Sequence, residues 1–483
     1  MSKKLFLLLI GVLILQRFFH IYNIIEDAHS WRQYDTLFYA YDFFTNGLDL
    51  LRPSVAWLGN YKTLILEFPV ISAIMSFMYY IPGPPITYMK IISFLFFLLS
   101  TYFLYKIVCL LYYKRLAQLT VITYLSLPLS LFYSVALNID FAEMAMVLAM
   151  IYYYLIGYER QDLRLILMGT FLGIFGCLIK VPYMLLGYAI IFYFIIKEKR
   201  TAFFLKTLPI TVIPVCLFIL WQMYSMKINN QAPDWEFIPG YIKFINMSFW
   251  YFGDVSLRLN PVNWIKIAIR LCVNTISLIG LPFFVYSFFV RIKNKMYFHI
   301  LGLGFILYVI IFFNLNLIHE YYQIPFLIIS SFYISVGIDS LKNKFTQSLL
   351  KSKYIISAVL LLLCISNISF TEITNYKPDY LRLSASDFIK RNTSINDVII
   401  ASIEDTDPRD PRILSASYRK GWSIKTSDLN KDLLDSLKNY GANYLAIVSD
   451  KEVPENIMRY FNESQLKSEM IDKDKWKIFL FKF

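Results

Sequence analysis

Charged and polar residues are concentrated in one short stretch of the chain, IIEDAHSWRQYDTLFYAYDFF at residues 24–44, which lies between long apolar runs. The stretch combines carboxylates, which can accept protons, with a guanidinium and an imidazole, which can hold an anion. Such groups are costly at a membrane surface unless they pair off or take part in chemistry. The candidate residues here are Glu26, Asp27, His29, Arg32, Gln33 and Asp35.

A helix is expected to position these side chains. Ser30 followed by Gln33 is a capping-box pattern, so a helix is predicted to begin at Trp31. Gly47 is predicted to end it. The structural alternative is a solvated amphipathic helix with ordinary ion pairs.

The predicted helix divides the polar residues into two sets. Asp27 and His29 precede it, on a loop close to the membrane surface. Arg32 and Asp35 lie three residues apart and therefore share one face, where Asp35 is expected to orient Arg32.

The composition predicts an α-helical polytopic membrane protein. The 483 residues are 57% hydrophobic and only 17% charged, and near-uncharged runs of roughly 17–25 residues recur along the chain. We predict about eleven spans, at residues 5–22, 86–112, 116–135, 141–158, 163–180, 182–197, 205–224, 268–290, 297–316, 321–340 and 353–370.

The segment EFPVISAIMSFMYYI at residues 67–81 decides the topology. As a helix it would extend roughly 22 Å, short of the ~30 Å hydrocarbon core, so it is interpreted as lying in the interface. The basic clusters then all fall on the cytoplasmic side, and the net charge of +13 reflects this bias and not nucleic-acid binding. The N-terminus is predicted to be cytoplasmic, with loops 23–85 and 225–267 and the C-terminus outside.

After residue 370 the composition becomes that of a globular protein. DVIIASI (397–403), YLAIVSD (444–450) and WKIFLFKF (476–483) predict strands, and residues 428–440 predict a helix. The domains are therefore a transmembrane catalytic domain at 1–370, with outer loop 23–85 carrying the site, and a small extracytoplasmic α/β domain at 371–483.

Three more polar groups are predicted at the outer face, at one depth with the first. Each has a structural alternative. Glu67 enters the interfacial helix, where it could interact with the helix dipole. Asp140 could cap the helix after it, and Lys180, at the next outer turn, could reach toward lipid headgroups. The last group is His319, Tyr321 and Tyr322, which could belong to an aromatic belt. Their common depth favours one shared site.

The segment HSWRQYDT at 29–36, preceded by Asp27, resembles the first outer loop of bacterial membrane glycosyltransferases of the GT-C fold. These are relatives of the protein O-mannosyltransferases and of the lipid A aminoarabinose transferase. Glu67-Phe68-Pro69 is similar to the E-x-P element of that group, and HEYYQIPF at 319–326 to its H-x-Y-Y-x-x-P element. Asn138-Ile139-Asp140 stands where the group often has Pro-Asp, so the proline is missing here.

The resemblance implies transfer of a hexose or pentose from a polyprenyl-phosphate donor to a glycan, lipid or protein acceptor at the outer face of the bacterial plasma membrane, with inversion. Such a reaction needs a carboxylate to take the proton of the acceptor hydroxyl, and cations or donors to stabilise the departing phosphate. Asp27 is the base by family position, with Glu26 and Asp35 as competitors. The other implied site residues are Asp35 and Glu67 in catalysis, Arg32, Lys180 and His319 at the phosphate, Tyr321 and Tyr322 at the sugar or lipid, and His29, Gln33 and Asp140 in substrate binding.

Two other functions stay open: an outer-face oligosaccharide polymerase or ligase, and a transporter that moves a lipid-linked sugar without breaking a bond. A transporter is expected to carry charges at the membrane midplane, whereas the ionisable residues here lie at the outer ends of spans. No metal site is predicted, although Asp27, Asp35 and Asp140 could supply hard oxygen ligands to a divalent metal. The five cysteines lie in apolar runs without metal-ligand spacing.

Overall fold

The computed structural model describes residues 3–26, 30–344, 349–461, 466–471 and 475–483. The chain forms two compact units, each assembled from separate stretches. The helical unit comprises Met1–Tyr22, Met89–Gln222 and Ser248–Tyr376, and the mixed unit comprises Asn23–Tyr88, Met223–Met247 and Lys377–Phe483. The domain boundary drawn from the sequence, between residues 370 and 371, stays a prediction.

Helices dominate the chain up to residue 374, because its apolar runs satisfy their backbone groups internally. Each predicted span overlaps helical residues, although some, such as 268–290, include a break between helices. The longer helices are Lys3–Phe18, Pro85–Leu111, Lys114–Ser126, Asp140–Arg160, Leu163–Ile179, Met184–Lys197, Thr201–Thr211, Ile213–Asn229, Pro261–Leu271, Met296–Ile311, Phe326–Lys344 and Leu349–Thr374. Short helices at Pro128–Tyr133, Ser248–Phe252, Val255–Leu259, Leu281–Ser287 and Phe313–Ile318, 3₁₀ turns at Val181–Tyr183 and Glu320–Gln323, and a π-helical turn at Cys272–Ile276 connect them.

Not all of these helices could cross a membrane alone. Among the described residues, four helical stretches are long and apolar enough, at Pro85–Leu111, Asp140–Arg160, Thr201–Asn229 and Tyr354–Thr374. A fifth would be the pair Pro261–Ile276 and Leu281–Ser287, which bends by 99° at its break. The number of eleven crossings, and the side on which each loop lies, therefore stay predictions.

The helix Lys3–Phe18 contains a buried arginine, Arg17. The Arg17 guanidinium donates to Ser134 Oγ at 2.8 Å and to the carbonyl oxygens of Leu13 and Leu125 at 2.6 and 2.7 Å. A buried charge needs such partners, and these bonds tie the N-terminal helix to the segment around residues 125–134.

The mixed unit contains a five-stranded sheet. Its strands are β1 (Val398–Ser402), β2 (Lys420–Ile424), β3 (Tyr444–Ser449), β4 (Leu466–Ile471) and β5 (Trp476–Lys482), in the order β2-β1-β3-β5-β4. Strands β1 and β2 are parallel, as are β1 and β3, whereas β5 runs antiparallel to both β3 and β4. The sheet predicted from three apolar runs is thus confirmed, and two further strands complete it.

The large loops of the sequence pack onto this sheet within the mixed unit. The Gly421 N–H donates to the Ala56 carbonyl at 2.8 Å, and Trp235 packs edge-on against the buried Trp422 with ring centroids 5.5 Å apart. The predicted interfacial segment forms only Val70–Ser76 and a 3₁₀ turn at Phe77–Tyr80. The other helices of this unit are Trp31–Asn46, Tyr380–Asn392, Arg412–Ser417, Lys431–Asn439 and Glu455–Tyr460, with 3₁₀ turns at Phe244–Asn246 and Thr426–Asp428.

Candidate functional site

The polar stretch near residue 30 forms the predicted helix, Trp31–Asn46, and Gly47 ends it with φ of 93°. The capping box itself is wrong: the Ser30 side chain makes no capping hydrogen bond among the described residues. Gln33 instead donates through Nε2 to the Glu26 carbonyl at 2.9 Å. The buried Gln33 side chain therefore fixes the backbone at Glu26, before the helix begins.

Arg32 forms an ion pair with Glu67, and both side chains are largely buried, with 20% and 11% of their surface exposed. The pair is supported by Tyr39, about two turns further along the helix. Its hydroxyl donates to the Leu64 carbonyl at 2.7 Å and accepts from the Leu66 N–H at 2.9 Å. Glu67 is thus placed by a fixed backbone segment, which corrects the expectation that Asp35 is the partner that orients Arg32.

Asp35 lies beside this ion pair and accepts a hydrogen bond from Trp57 Nε1 at 3.2 Å. Burial raises the pKa of Asp35 to about 7, and the nearby charge of Arg32 only partly opposes it. The negative charge of Glu67 raises the pKa further. A carboxyl with a pKa near neutrality exchanges its proton readily at physiological pH. We call Arg32, Asp35, Trp57 and Glu67 the loop cluster.

The N-terminal end of the helix is held by charged residues near the sheet. The Arg412 guanidinium lies over the Trp31 ring, 5.5 Å from its centroid. Arg412 is itself fixed by Asp410 at 2.7 Å and lies 3.7 Å from Asp379. A cation–π contact of this kind fixes the first turn of the helix, and with it Arg32.

A second group of polar residues gathers in the helical unit. Asp140, the first residue of its helix, is buried and pairs with Lys180 at 2.6 Å. Tyr183 also donates its hydroxyl to Asp140. Lys180 has only 13% of its side chain exposed, so it is engaged within the unit and does not extend toward lipid headgroups. Asp140 makes these two bonds instead of capping its helix, whose N-cap residue is Ile139.

Aromatic rings enclose the Lys180 ammonium. Its nitrogen lies 3.9 Å from the ring centroid of Tyr322 and 5.2 Å from that of Tyr321. His319 continues the aromatic group, with its ring centroid 5.1 Å from Tyr321 and 5.8 Å from Trp250. We call Asp140, Lys180, Tyr183, His319, Tyr321 and Tyr322 the lysine cluster.

Three tyrosine hydroxyl groups contact the HEYY segment, two at its backbone and one at the Glu320 side chain. Tyr308 donates to the Tyr322 carbonyl at 2.8 Å, and the Tyr183 hydroxyl, which donates to Asp140, lies 3.2 Å from the Tyr321 carbonyl oxygen. Tyr133 donates to Glu320 at 3.2 Å, on the same segment. Hydrogen bonds within the protein therefore hold the aromatic rings around Lys180 in place.

Sequence reasoning missed Trp57, Tyr183 and Glu143, which accepts the Tyr183 N–H at 3.1 Å. No motif marks Trp57. The spacing from Asp140 to Glu143 does place two carboxylates on one helical face. Tyr183, three residues after Lys180, is a hydrogen-bond donor that the sequence offered to them.

Asp27 and His29, the predicted base and one predicted ligand-binding residue, lie outside the described residues. The structure brings Arg32, Asp35 and Glu67 together in one unit, and Asp140, Lys180, His319, Tyr321 and Tyr322 together in the other. That these two clusters face a single site stays a prediction. Within the described residues, no group of three or more His, Cys, Asp or Glu side chains is placed to hold a metal.

The chain is similar to known proteins in part of its sequence and in its fold. Residues 67–224, about a third of the chain, match the sequence model of a family described as dolichyl-phosphate-mannose-protein mannosyltransferase. The fold is similar to that of ArnT from Cupriavidus metallidurans bound to undecaprenyl phosphate, with a TM-score of 0.63 at 9% identity over 99% of this chain and 98% of that one. The chain has the GT-C fold.

Other GT-C structures support the same conclusion. The oligosaccharyltransferase of Archaeoglobus fulgidus in its apo form matches with a TM-score of 0.56 at 11% identity, over 93% of this chain and 70% of that one. The same enzyme tethered to an acceptor peptide that contains the NVT sequon matches with a TM-score of 0.51 at 11% identity, over 92% and 69% of the two chains. No curated protein sequence matches the chain. The chain thus has the GT-C fold, and its apolar helices indicate a multi-pass membrane protein.

Proposed function

We propose that this protein transfers a sugar from a polyprenyl-phosphate-linked donor to an acceptor at the outer face of the bacterial plasma membrane, with inversion at the anomeric carbon. The observation that carries the proposal is the fold similarity along nearly the whole chain to a protein bound to undecaprenyl phosphate. The resemblance of HSWRQYDT, of the E-F-P element and of HEYYQIPF to the same group supports it.

In the proposed reaction an acceptor hydroxyl oxygen attacks the anomeric carbon, and the bond from that carbon to the phosphate oxygen breaks. The electron pair leaves with the phosphate, and the hydroxyl proton passes to a carboxylate. We assign the proton to Asp27, by its position in the first outer loop. Asp35, with its pKa near 7, is the competing base that the described contacts favour.

The departing phosphate needs positive charge placed in advance. Arg32 is the first candidate, because Glu67 fixes its guanidinium, whose planar, forked geometry suits a phosphate. Lys180 is the second, and His319 lies in the same cluster. Tyr321 and Tyr322 offer ring faces on which a sugar or an isoprenoid chain could pack.

The proposal is tested with the purified full-length protein in liposomes that contain a polyprenyl-phosphate sugar, radiolabelled in the sugar, and an extract of cell-envelope acceptors. We expect label to leave the lipid fraction one sugar at a time and to appear covalently on an acceptor. Label that crosses the bilayer while still attached to the lipid would identify a transporter. Label that moves only as an oligosaccharide block would identify a polymerase or ligase, and either result contradicts the proposal.

A further inference from the structure

The mixed unit contains a cavity that lies outside both clusters. Its volume is about 510 Å³, within the roughly 300–1,000 Å³ typical of small-molecule sites. Tyr41, Tyr79 and Tyr418 form one side, and Lys390, Arg419 and Ile395 contribute to the rest. We call it the tyrosine pocket.

The three tyrosines form one continuous aromatic surface. Tyr41 and Tyr418 have ring centroids 4.3 Å apart, and Tyr79 packs edge-on against Tyr41 at 5.8 Å. The hydroxyl groups of Tyr79 and Tyr418 are 3.4 Å apart. Tyr418 has a left-handed backbone conformation, with φ of 56°, because it ends the helix Arg412–Ser417, and this turn directs the chain into strand β2.

Positive charge lines the same cavity. Among the described residues that line it, Lys390 and Arg419 are charged and none is a carboxylate. The Lys390 ammonium lies 4.8 Å from the centroid of the Tyr418 ring and is exposed to solvent. Arg419 is 4% exposed, and its guanidinium donates to Thr393 Oγ1 at 3.0 Å and to the Thr393 carbonyl at 2.8 Å. These neutral acceptors hold the guanidinium without cancelling its charge.

We propose that the tyrosine pocket binds an anionic saccharide, a sugar ring that carries a phosphate or a carboxylate. The aliphatic face of a sugar ring packs on aromatic side chains, and its hydroxyl groups can pair with the tyrosine hydroxyls. The exposed ammonium of Lys390 can move to contact the anion directly, whereas the buried Arg419 contributes a fixed field. An uncharged sugar would use only the aromatic wall, and an inorganic anion only the cations.

The position of the pocket in the chain indicates where the bound saccharide would lie and which substrate it would be. Pro85 lines the pocket and is also the first residue of Pro85–Leu111, a helix long enough to cross a membrane. A saccharide bound here would therefore lie near the membrane surface, as an acceptor for lipid-linked sugar would. The identification of the ligand as the acceptor rests on the proposed function, but its binding does not.

The test measures binding to the full-length protein in nanodiscs by ligand-observed NMR. The probes are glucose, glucose 6-phosphate, glucuronic acid and inorganic phosphate. We expect glucose 6-phosphate or glucuronic acid to bind at least about tenfold more tightly than glucose and than inorganic phosphate, because a charge-assisted contact adds to ring packing. Which of the two binds more tightly identifies the anion. Equal binding of all probes, or tightest binding of inorganic phosphate, would overturn the proposal.

Variants locate the binding. Lys390→Gln removes an exposed charge without opening the core, and we expect it to reduce the affinity for the charged sugar about tenfold while leaving that for glucose unchanged. Tyr79→Leu should weaken the binding of both the charged sugar and glucose, because it removes part of the aromatic wall. Lys438→Gln, on the exposed side of Lys431–Asn439, is the matched control and should change nothing. An equal loss in Lys390→Gln and Lys438→Gln would show general charge attraction and overturn the assignment.

The outcome is separable from that of the transfer assay. If charged sugars bind but label never leaves the polyprenyl-phosphate donor, the proposed function fails and the pocket stands. If label is transferred but no charged sugar binds, the pocket fails and the proposed function stands.

Discussion

The two units each contain a buried pair of a carboxylate and a cation, but the surroundings of the pairs differ. In the lysine cluster, Asp140 receives Lys180 and the Tyr183 hydroxyl, and aromatic rings cover the ammonium. In the loop cluster, Arg32 pairs with Glu67, and a second carboxyl, Asp35, receives an indole N–H from Trp57. Burial therefore raises the pKa of Asp35 to about 7.

This difference indicates different tasks. A carboxylate that holds a cation and accepts a hydrogen bond from a hydroxyl group, as Asp140 does, is suited to act as a fixed counterion. The loop cluster instead contains a carboxyl, that of Asp35, whose pKa lies near neutrality, so it can exchange a proton at physiological pH. We therefore expect proton transfer to belong to the loop around residues 26–35, and charge binding or structural support to belong to the lysine cluster.

The largest expected effect is that of Asp27→Asn. The substitution removes a base without changing the shape of the side chain, so transfer of label should fall by about 10²–10⁴-fold. Insertion and folding should be unchanged, as should transfer by the exposed control Asp432→Asn. Near-normal turnover of Asp27→Asn together with an inactive Asp35→Asn would place the base on the helix instead.

Lys180→Met tests whether the lysine cluster is structural or binds phosphate. It leaves the buried Asp140 without its cation, which should reduce the free energy of unfolding by about 3–5 kcal/mol. Chemical unfolding should show most of this recovered in the double variant Lys180→Met/Asp140→Leu. The matched control, Arg459→Met, breaks a pair whose side chains are 75% and 79% exposed and should cost less than about 1 kcal/mol.

The double variant also separates the two roles of Lys180. If Lys180 contacts the donor phosphate, the refolded double variant should still transfer label poorly, with a raised KM for the donor. Full activity in the double variant would reduce Lys180 to a structural residue.

Glu67→Gln should have an intermediate effect on transfer. It removes the carboxylate that fixes Arg32, and a misplaced group near the reacting atoms can cost on the order of tenfold to 10²-fold. The radiolabel assay measures it, and Glu455→Gln in the exposed pair with Arg459 serves as control. An unchanged rate in Glu67→Gln would remove Arg32 from the phosphate-binding groups.

Asp35→Asn should have the smallest effect on transfer and a distinct effect on stability. Because the pKa of Asp35 is raised to about 7 from 3.8, the folded protein binds more protons than the unfolded chain between those values. The contribution of Asp35 to stability therefore falls as pH rises through this window. Asn keeps the acceptor for Trp57 without the charge, so the variant should be more stable than the wild type at pH 8.5 by on the order of 1 kcal/mol.

Below about pH 4 the two proteins should be equally stable, because Asp35 is then protonated in both the folded and the unfolded state. Thermal unfolding at the two pH values measures the difference. A stability difference that does not vary with pH would contradict the burial of an ionisable Asp35.

Local sequence signals predicted the helix Trp31–Asn46 and its end at Gly47, because both depend on residues close together in the chain. The capping contact was wrong, since Ser30 makes no capping hydrogen bond among the described residues and Gln33 donates through Nε2 to the Glu26 carbonyl. Strands β1, β3 and β5 were visible as apolar runs. Strand β2 was not, because Gly421 in it bonds to Ala56, a pairing across hundreds of residues.

The site shows the same limit. The sequence predicted that Lys180, Asp140 and the HEYY segment share a depth, and the structure brings them into contact. It could not predict that Glu67, and not Asp35, would pair with Arg32. That choice depends on the Leu64–Leu66 backbone held by Tyr39, and on Trp57 competing for Asp35.

The most direct test of the central claim is mass spectrometry of cell-surface glycans from cells with the wild-type protein, without it, and with Asp27→Asn. We predict that one sugar residue is missing from an envelope glycan, lipid or protein both in the cells without the protein and in those with the variant. Identical glycans in all three, or restoration of the sugar by Asp27→Asn, would contradict sugar transfer through this loop.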